Sequence, residues 1–260
     1  MAPFKAAMFG DTLRLVNREN RVVSWSWLTR LQHGLLPPTC LLCGASGTEG
    51  HDLCAGCAAD LPRNTTACPC CAQPLAAGQA GLCAQCRSHP PEFDRAFVPF
   101  RYQSPVDFLI QHLKFHGRLS YGRILGELFV EALTERGGPL PDCIIPVPLH
   151  PLRLRERGFN QALELARAPS RRFHLPLLAE GLRRIRHTTP QTQLDAPNRR
   201  RNLLGAFTVG QSLTGRRVAL MDDVITTAST VTECTRVLRS SGVAEIEIWA
   251  IARTATAPPP

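Results

Sequence analysis

Residues 218–230 read Val218-Ala219-Leu220-Met221-Asp222-Asp223-Val224-Ile225-Thr226-Thr227-Ala228-Ser229-Thr230. An apolar run followed at once by two acids predicts a strand buried on both faces that ends in carboxylates. Behind the hydroxyl-rich turn, Val231, Cys234, Val237 and Leu238 share one helical face, and Gly242 marks the end of that helix. Residues 246–251 then form another apolar run, so strand, loop, helix and strand follow in order, the pattern of a parallel sheet in an α/β domain. Carboxylates at the carboxyl end of such a strand suit sugar hydroxyls and metal-bound water. The N–H groups of the helix start suit a phosphate. Thr226, Thr227, Ser229 and Thr230 add hydroxyl donors around that position.

Outward from this unit, residues 143–147 form another short apolar run, closing in Pro146-Val147-Pro148, and residues 96–102 predict a strand that opens the domain. Ser104-Pro105 signals a helix entry, with Phe108, Leu109, His112 and Leu113 expected on one face. Ile124, Leu125, Leu128, Phe129, Ala132 and Leu133 mark the next helix, which Gly137-Gly138 ends. The α/β domain is thus expected over 93–253, with a disordered tail over 254–260. Trp25, Leu28, Leu31 and Leu35 are spaced for a short lead-in helix within a loose start over 1–39.

Nine of the eleven cysteines fall between Cys40 and Cys86, in a segment of Gly, Ala and Pro with little periodicity. Secreted disulfide scaffolds are short and exported, so clustering of this kind in a longer chain favours metal binding. Four C-x-x-C knuckles appear: Cys40/Cys43, Cys54/Cys57, Cys68/Cys71 and Cys83/Cys86. Two residues between thiolates let one turn present both sulfurs to a single ion, and two such turns complete a tetrahedral zinc site. Sequential pairing joins Cys40, Cys43, Cys54 and Cys57 around one ion and Cys68, Cys71, Cys83 and Cys86 around another; crossed pairing is the alternative. Cys70 is left over and, like His51 or His89, is a substitute ligand or a solvated loop residue. Four sulfurs per ion leave no open position, so this zinc, one or two ions over residues 40–92, is structural. Cys143 and Cys234 read as buried apolar residues.

The net charge is +9, and residues 151–210 hold twelve arginines against four acids, which locates the surplus and favours an anionic partner. That partner is either the phosphates of a small molecule or a nucleic-acid backbone. No stretch reaches the run of apolar residues that a membrane span needs, and no secretory pattern is seen, so membrane insertion is not expected and a cytoplasmic location is.

The 218–230 stretch resembles the phosphoribosyl pyrophosphate (PRPP) motif of type I phosphoribosyltransferases, which runs from an apolar strand through two acids to a Thr-Thr-Gly-x-Thr turn. Ala228 departs from it where Gly is usual, setting a methyl group against the backbone's approach to phosphate. Ile145-Pro146-Val147-Pro148-Leu149, then 155–162, Arg-Glu-Arg-Gly-Phe-Asn-Gln-Ala, then Gln191 through Leu194 to Arg199, Asn202 and Phe207 resemble the competence protein F (ComF) family. So does a zinc module placed in front. The resemblance covers about residues 28–253.

It implies a type I phosphoribosyltransferase-like parallel sheet domain behind a double zinc ribbon. Asp222 and Asp223 would hold ribose and Mg²⁺, and Thr226, Thr227, Ala228, Ser229 and Thr230 the 5′-phosphate. Arg153, Arg155 and Arg157, in a loop placed like the pyrophosphate loop, together with Lys114 and Arg199, are candidates for the anion, each with the alternative of a solvated surface cation. The implied activity is phosphoribosyl transfer from PRPP to an unidentified acceptor. A rival reading is non-catalytic binding of single-stranded DNA alongside other competence proteins, since the family is associated with DNA uptake in natural transformation. Few exposed aromatics are visible in the sequence to stack on bases.

Overall fold

A computed structural model describes residues 38–48, 51–186 and 203–255, and over this span the chain from Pro38 onward forms a single unit. The expected lead-in helix and the residues of the tail beyond 255 lie outside the described residues, as do Gln191, Leu194, Arg199 and Asn202.

Two one-turn helices sit in the cysteine segment, α1 (Ala55–Ala59) and α2 (Ala84–Ser88). The sheet domain then runs β1 (Arg95–Phe97), β2 (Phe100–Arg101), α3 (Val106–His116), α4 (Leu119–Arg136), β3 (Cys143–Pro146), α5 (Pro151–Arg157), α6 (Gln161–Phe173), β4 (Leu182–Arg184), β5 (Phe207–Val209), β6 (Arg217–Ile225), α7 (Ser229–Ser240) and β7 (Glu245–Arg253). The main sheet has the order β1-β7-β6-β3, with β2 also on β7, and every pairing is parallel. The single strand expected over 96–102 is broken in two. Pro99 has no N–H to donate to the ladder, so pairing stops at Phe97 and resumes at Phe100.

Alternation along the strands builds one apolar layer on each side of the sheet. Val218 and Leu220 of β6, Ile246 and Ile248 of β7 and Cys143 and Ile145 of β3 face α7 through Val231, Cys234 and Leu238. Ala219, Met221, Trp249, Ile251 and Ile144 face α3, α4 and α6. Cys143 and Cys234 are fully buried, as expected. The buried face of α3 is Val106, Leu109, Ile110 and Leu113, so of the four residues expected there Leu109 and Leu113 are buried while Phe108 is 42% exposed and His112 half-buried. A helix stripe at i, i+3, i+4 and i+7 is complete only when Ile110 replaces His112, and this rotates Phe108 outward.

Among the described residues, the cysteine segment has no separate core. Cys68, Cys71, Cys83 and Cys86 belong to the α7 side of the core, whereas Cys40, Leu53 and Leu61 belong to the other. An antiparallel ribbon of β4 and β5, not anticipated from the sequence, stands apart from the main sheet.

Candidate functional site: an acid pair at the sheet's switch point

Strand β3 hands the chain through α5 and α6 to Leu177, which bridges Ile144 in parallel, while β6 hands it through α7 to β7 on the opposite side. The two connections diverge, so a crevice opens between the carboxyl ends of β3 and β6, the place where open α/β sheets bind ligands. The register fixes what faces it. Pairing of β3 with β6 ends at Pro146↔Met221, with Val147 N donating to the Met221 carbonyl at 2.8 Å, whereas β6 stays paired to β7 as far as Ile225↔Arg253. Asp222 and Asp223 are therefore inside β6, just beyond its β3 neighbour.

Asp223 is buried, and its Oδ2 lies 2.6 Å from Lys114 Nζ on α3. Burial alone would lower the lysine's pKa, but the charge of Asp223 and its hydrogen bond outweigh that and raise it. Asp222 keeps some surface toward the crevice yet is deeply surrounded by protein. Burial, and after it the charge of Asp223, pushes its carboxyl up to about 8.

Beyond the acids, the turn brings Thr226, Thr227, Ala228, Ser229 and Thr230 to the start of α7. Thr227 Oγ1 and Ser229 Oγ are 2.9 Å apart, and no side-chain hydrogen bond caps the helix. Ala228 occupies the left-handed region at φ 60 and ψ 3. That conformation explains the usual Gly of this motif: the demand is on the backbone angle, which an L side chain meets only with strain.

On the β3 side, Asn160 fastens the loop. Its Oδ1 accepts from Ala162 N at 3.0 Å to cap α6, and its Nδ2 donates to the Val147 carbonyl at 3.1 Å. Arg153 and Arg157, four residues apart on α5, are half-buried, and Arg155 between them is exposed. Arg157 donates to Gln161 Oε1 at 2.6 Å; burial lowers its pKa and the nearby Asp223 partly restores it. A cation the sequence reading missed is Arg184 on β4, whose pKa is lowered by burial and which is electrostatically linked to both Arg153 and Asp222. Its signal was alternation: Arg184 shares a strand face with buried Leu182. The structure thus brings Asp222, Asp223, Lys114, Arg153, Arg157 and Arg184 into one charged neighbourhood and leaves Arg155 outside it.

The eight knuckle cysteines form two groups, Cys40 with Cys43, Cys54 and Cys57, and Cys68 with Cys71, Cys83 and Cys86, the sulfurs within each lying within 4.8 Å of one another. The donor set fits zinc. Four sulfurs ~2.3 Å from one ion stand about 3.8 Å apart, and Cys43 and Cys54 are separated by 3.7 Å, Cys71 and Cys83 by 3.6 Å. Backbone N–H groups of Cys57 and Cys86 donate to Cys54 and Cys83, which cap α1 and α2. Hydrogen bonding with Cys54 pushes the Cys57 thiol up, and burial does the same to Cys71 and Cys86. A divalent cation reverses that balance and ionises thiols. Cys70 falls outside the four-sulfur groups; His51 pairs instead with Glu127 and Glu131 of α4, and His89 with Ser88.

A parallel sheet with an acid pair and a hydroxyl-rich helix start at its switch point, carrying two four-cysteine ribbons in front, defines a phosphoribosyltransferase-like α/β protein with a double zinc ribbon. The double zinc ribbon domain family matches residues 31–87. Competence protein F of Haemophilus influenzae is 37% identical over 210 residues, covering 78% of this chain and 91% of that protein. DNA utilization protein YhgH of Escherichia coli O157:H7 is 36% identical over 224 residues, covering 84% of this chain and 98% of that protein. The chain belongs to the competence protein F family. Among solved structures, the purine phosphoribosyltransferase of Pyrococcus horikoshii Ot3 aligns with a TM-score of 0.31 at 20% identity, covering 52% of this chain and 77% of that one.

Proposed function

We propose that the crevice binds PRPP, or another 5-phosphorylated ribose, together with Mg²⁺, and that the protein transfers or recognises the phosphoribosyl group in DNA uptake. The observation that carries this reading is the position of Asp222 and Asp223 beside a left-handed turn that opens onto a helix start free of a side-chain cap.

The acids fit ribose hydroxyls and the water shell of Mg²⁺, which keeps several waters and takes only one or two carboxylates. The turn from Thr226 to Thr230 fits the 5′-phosphate. Arg153, Arg157 and Arg184 fit the pyrophosphate, where fixed positive charge stabilises a leaving group that gains negative charge. Bound Mg²⁺ adds charge neutralisation at the phosphates. Lys114 holds Asp223 in place and offsets its charge. Catalysis would then be positioning and electrostatics, with no covalent nucleophile. Ribbon thiols kept unoxidised for zinc suit a reducing compartment, hence the cytosol. Among the described residues, no helix is long and apolar enough to cross a membrane.

A second reading, single-stranded DNA binding, is favoured by one surface. Phe115 is 69% and Phe108 42% exposed on α3, where His112 and His116 stack at 4.6 Å. The Arg157 guanidinium lies 5.9 Å from the centre of the Phe115 ring, and aromatic rings beside cations are what base stacking uses.

Calorimetry with PRPP and Mg²⁺ on the wild type and on Asp223→Asn tests the first reading, which expects binding that the variant loses. A salt-titrated single-strand binding assay tests the second, which expects a steep salt slope. Wild-type protein that binds no PRPP at millimolar concentration would sink the first reading.

A further inference from the structure

Arg253, the last residue of β7, is only 2% exposed. Its Nη1 donates to the Ile225 carbonyl at 2.9 Å and also to the Thr226 carbonyl. Thr254 N donates to the same Ile225 oxygen at 3.1 Å. One guanidinium nitrogen thus ties together the carbonyls of the two residues that lead into the proposed phosphate-binding turn.

Among the described residues, no carboxylate forms an ion pair with Arg253, although a buried charge without a counterion is costly. Burial lowers the pKa of Arg253, and the charges that oppose this are those of Cys71, then Cys83 and Cys86; Ile225, whose carbonyl Arg253 holds, belongs to the same core cluster as these cysteines. These are three of the four sulfurs of the second metal group. Four thiolates around one divalent ion leave a doubly negative centre, so this centre is the natural counterion of the guanidinium.

We infer that Arg253 is a positioning residue that couples the second zinc site, Cys68/Cys71/Cys83/Cys86, to the turn that begins at Thr226, so that zinc occupancy there sets the order of the turn. The first zinc site has no such link: it lies with the α3 and α4 side of the core. The inference rests on reading the turn as a phosphate cradle, but its physical content, zinc to Arg253 to turn, is measurable without any ligand.

The test uses the full chain with zinc bound, as wild type, Arg253→Met, Arg253→Lys, Cys83→Ser and Cys54→Ser. Zinc release to a chromogenic chelator and amide hydrogen exchange over residues 226–229 are the readouts, with PRPP and Mg²⁺ calorimetry beside them and circular dichroism to establish folding. Arg253→Met is expected to release one of its two zinc ions about tenfold faster and to raise exchange in the turn about tenfold. Arg253→Lys keeps the cation, but its shorter side chain stops short of the carbonyls that Nη1 reaches, so zinc release stays close to wild type while exchange in the turn rises. Cys83→Ser is expected to loosen the turn, and Cys54→Ser to leave it unchanged. Equal responses of the turn to Cys83→Ser and Cys54→Ser would overturn the coupling. So would wild-type turn exchange in Arg253→Lys, which decides the matter if Arg253→Met does not fold. If the wild type binds no PRPP, the proposed function fails while the zinc and exchange measurements still decide this inference.

Discussion

Lys114 Nζ sits 2.6 Å from Asp223 Oδ2, joining the last turn of α3 to the acid pair of β6. Removing one partner of such a buried pair leaves the other uncompensated, at a cost of about 3 kcal/mol or more. Lys114→Met should therefore destabilise the fold by about that amount, and Lys114→Met with Asp223→Leu should recover part of the loss. Urea denaturation of the single and double variants checks this. Equal stability of Lys114→Met and wild type would show that the pair is not coupled.

Ala228 holds φ 60 at the start of α7. A left-handed L residue costs roughly 1–2 kcal/mol, and glycine relieves it while adding roughly 0.4–1 kcal/mol of unfolded-state entropy. Ala228→Gly is thus expected to be neutral or stabilising by up to about 1.5 kcal/mol, and to tighten PRPP binding by removing the methyl from the phosphate's approach. Melting temperature and calorimetry read the two effects separately.

Asp222 supplies the pH dependence. Its carboxyl is pushed up to about 8 in the fold, so above the unfolded value of ~3.9 the folded state holds a proton that the unfolded chain has released. Its contribution to stability is intact below that value and declines as pH rises from about 4 to about 8. Asp222→Asn should flatten that decline in a stability profile. Binding of Mg²⁺ with PRPP near pH 7 should expel the proton, seen as a binding enthalpy that changes with the ionisation enthalpy of the buffer.

Arg157 and Arg155 are two residues apart on α5 but differently placed: the first is half-buried near Asp223, the second exposed. Arg157→Ala should weaken PRPP binding by tenfold or more, while Arg155→Ala changes it less than twofold. Titration calorimetry at one fixed salt concentration distinguishes them, and reversed magnitudes would reassign the anion contact.

The second ribbon's cysteines are buried in the core and Cys40 of the first joins its other side, so zinc removal should destabilise the sheet as well as the cysteine segment. Zinc analysis should find two ions per chain, and prolonged chelation should lower the melting transition of the whole unit instead of removing an independent one. A main transition unaffected by chelator would contradict this.

Much of this arrangement is legible in residue order. The run from Val218 to Asp223 carries its burial and its acids in neighbouring positions, and the four knuckles carry their geometry in a two-residue spacing, so local chemistry suffices for both. Lys114 is one of only two lysines in the chain, yet its partner Asp223 is more than one hundred residues away and only packing of α3 on the sheet reveals it. Arg184 and Arg253 are hidden in the sequence for the same reason. Each is one arginine among 28, distinguished by burial alone. The β4–β5 ribbon is three residues a side, too short for periodicity to declare.

The parallel partnership of β1 with β7 places an early strand beside the last one. During synthesis β1 must wait with an open edge until nearly the whole domain has emerged, because the neighbour it needs is made last. The cysteines upstream wait as well, with reactive sulfurs and no completed core to shelter them. Early metal capture would guard those sulfurs through the delay, making cellular zinc supply a control on the yield of folded protein.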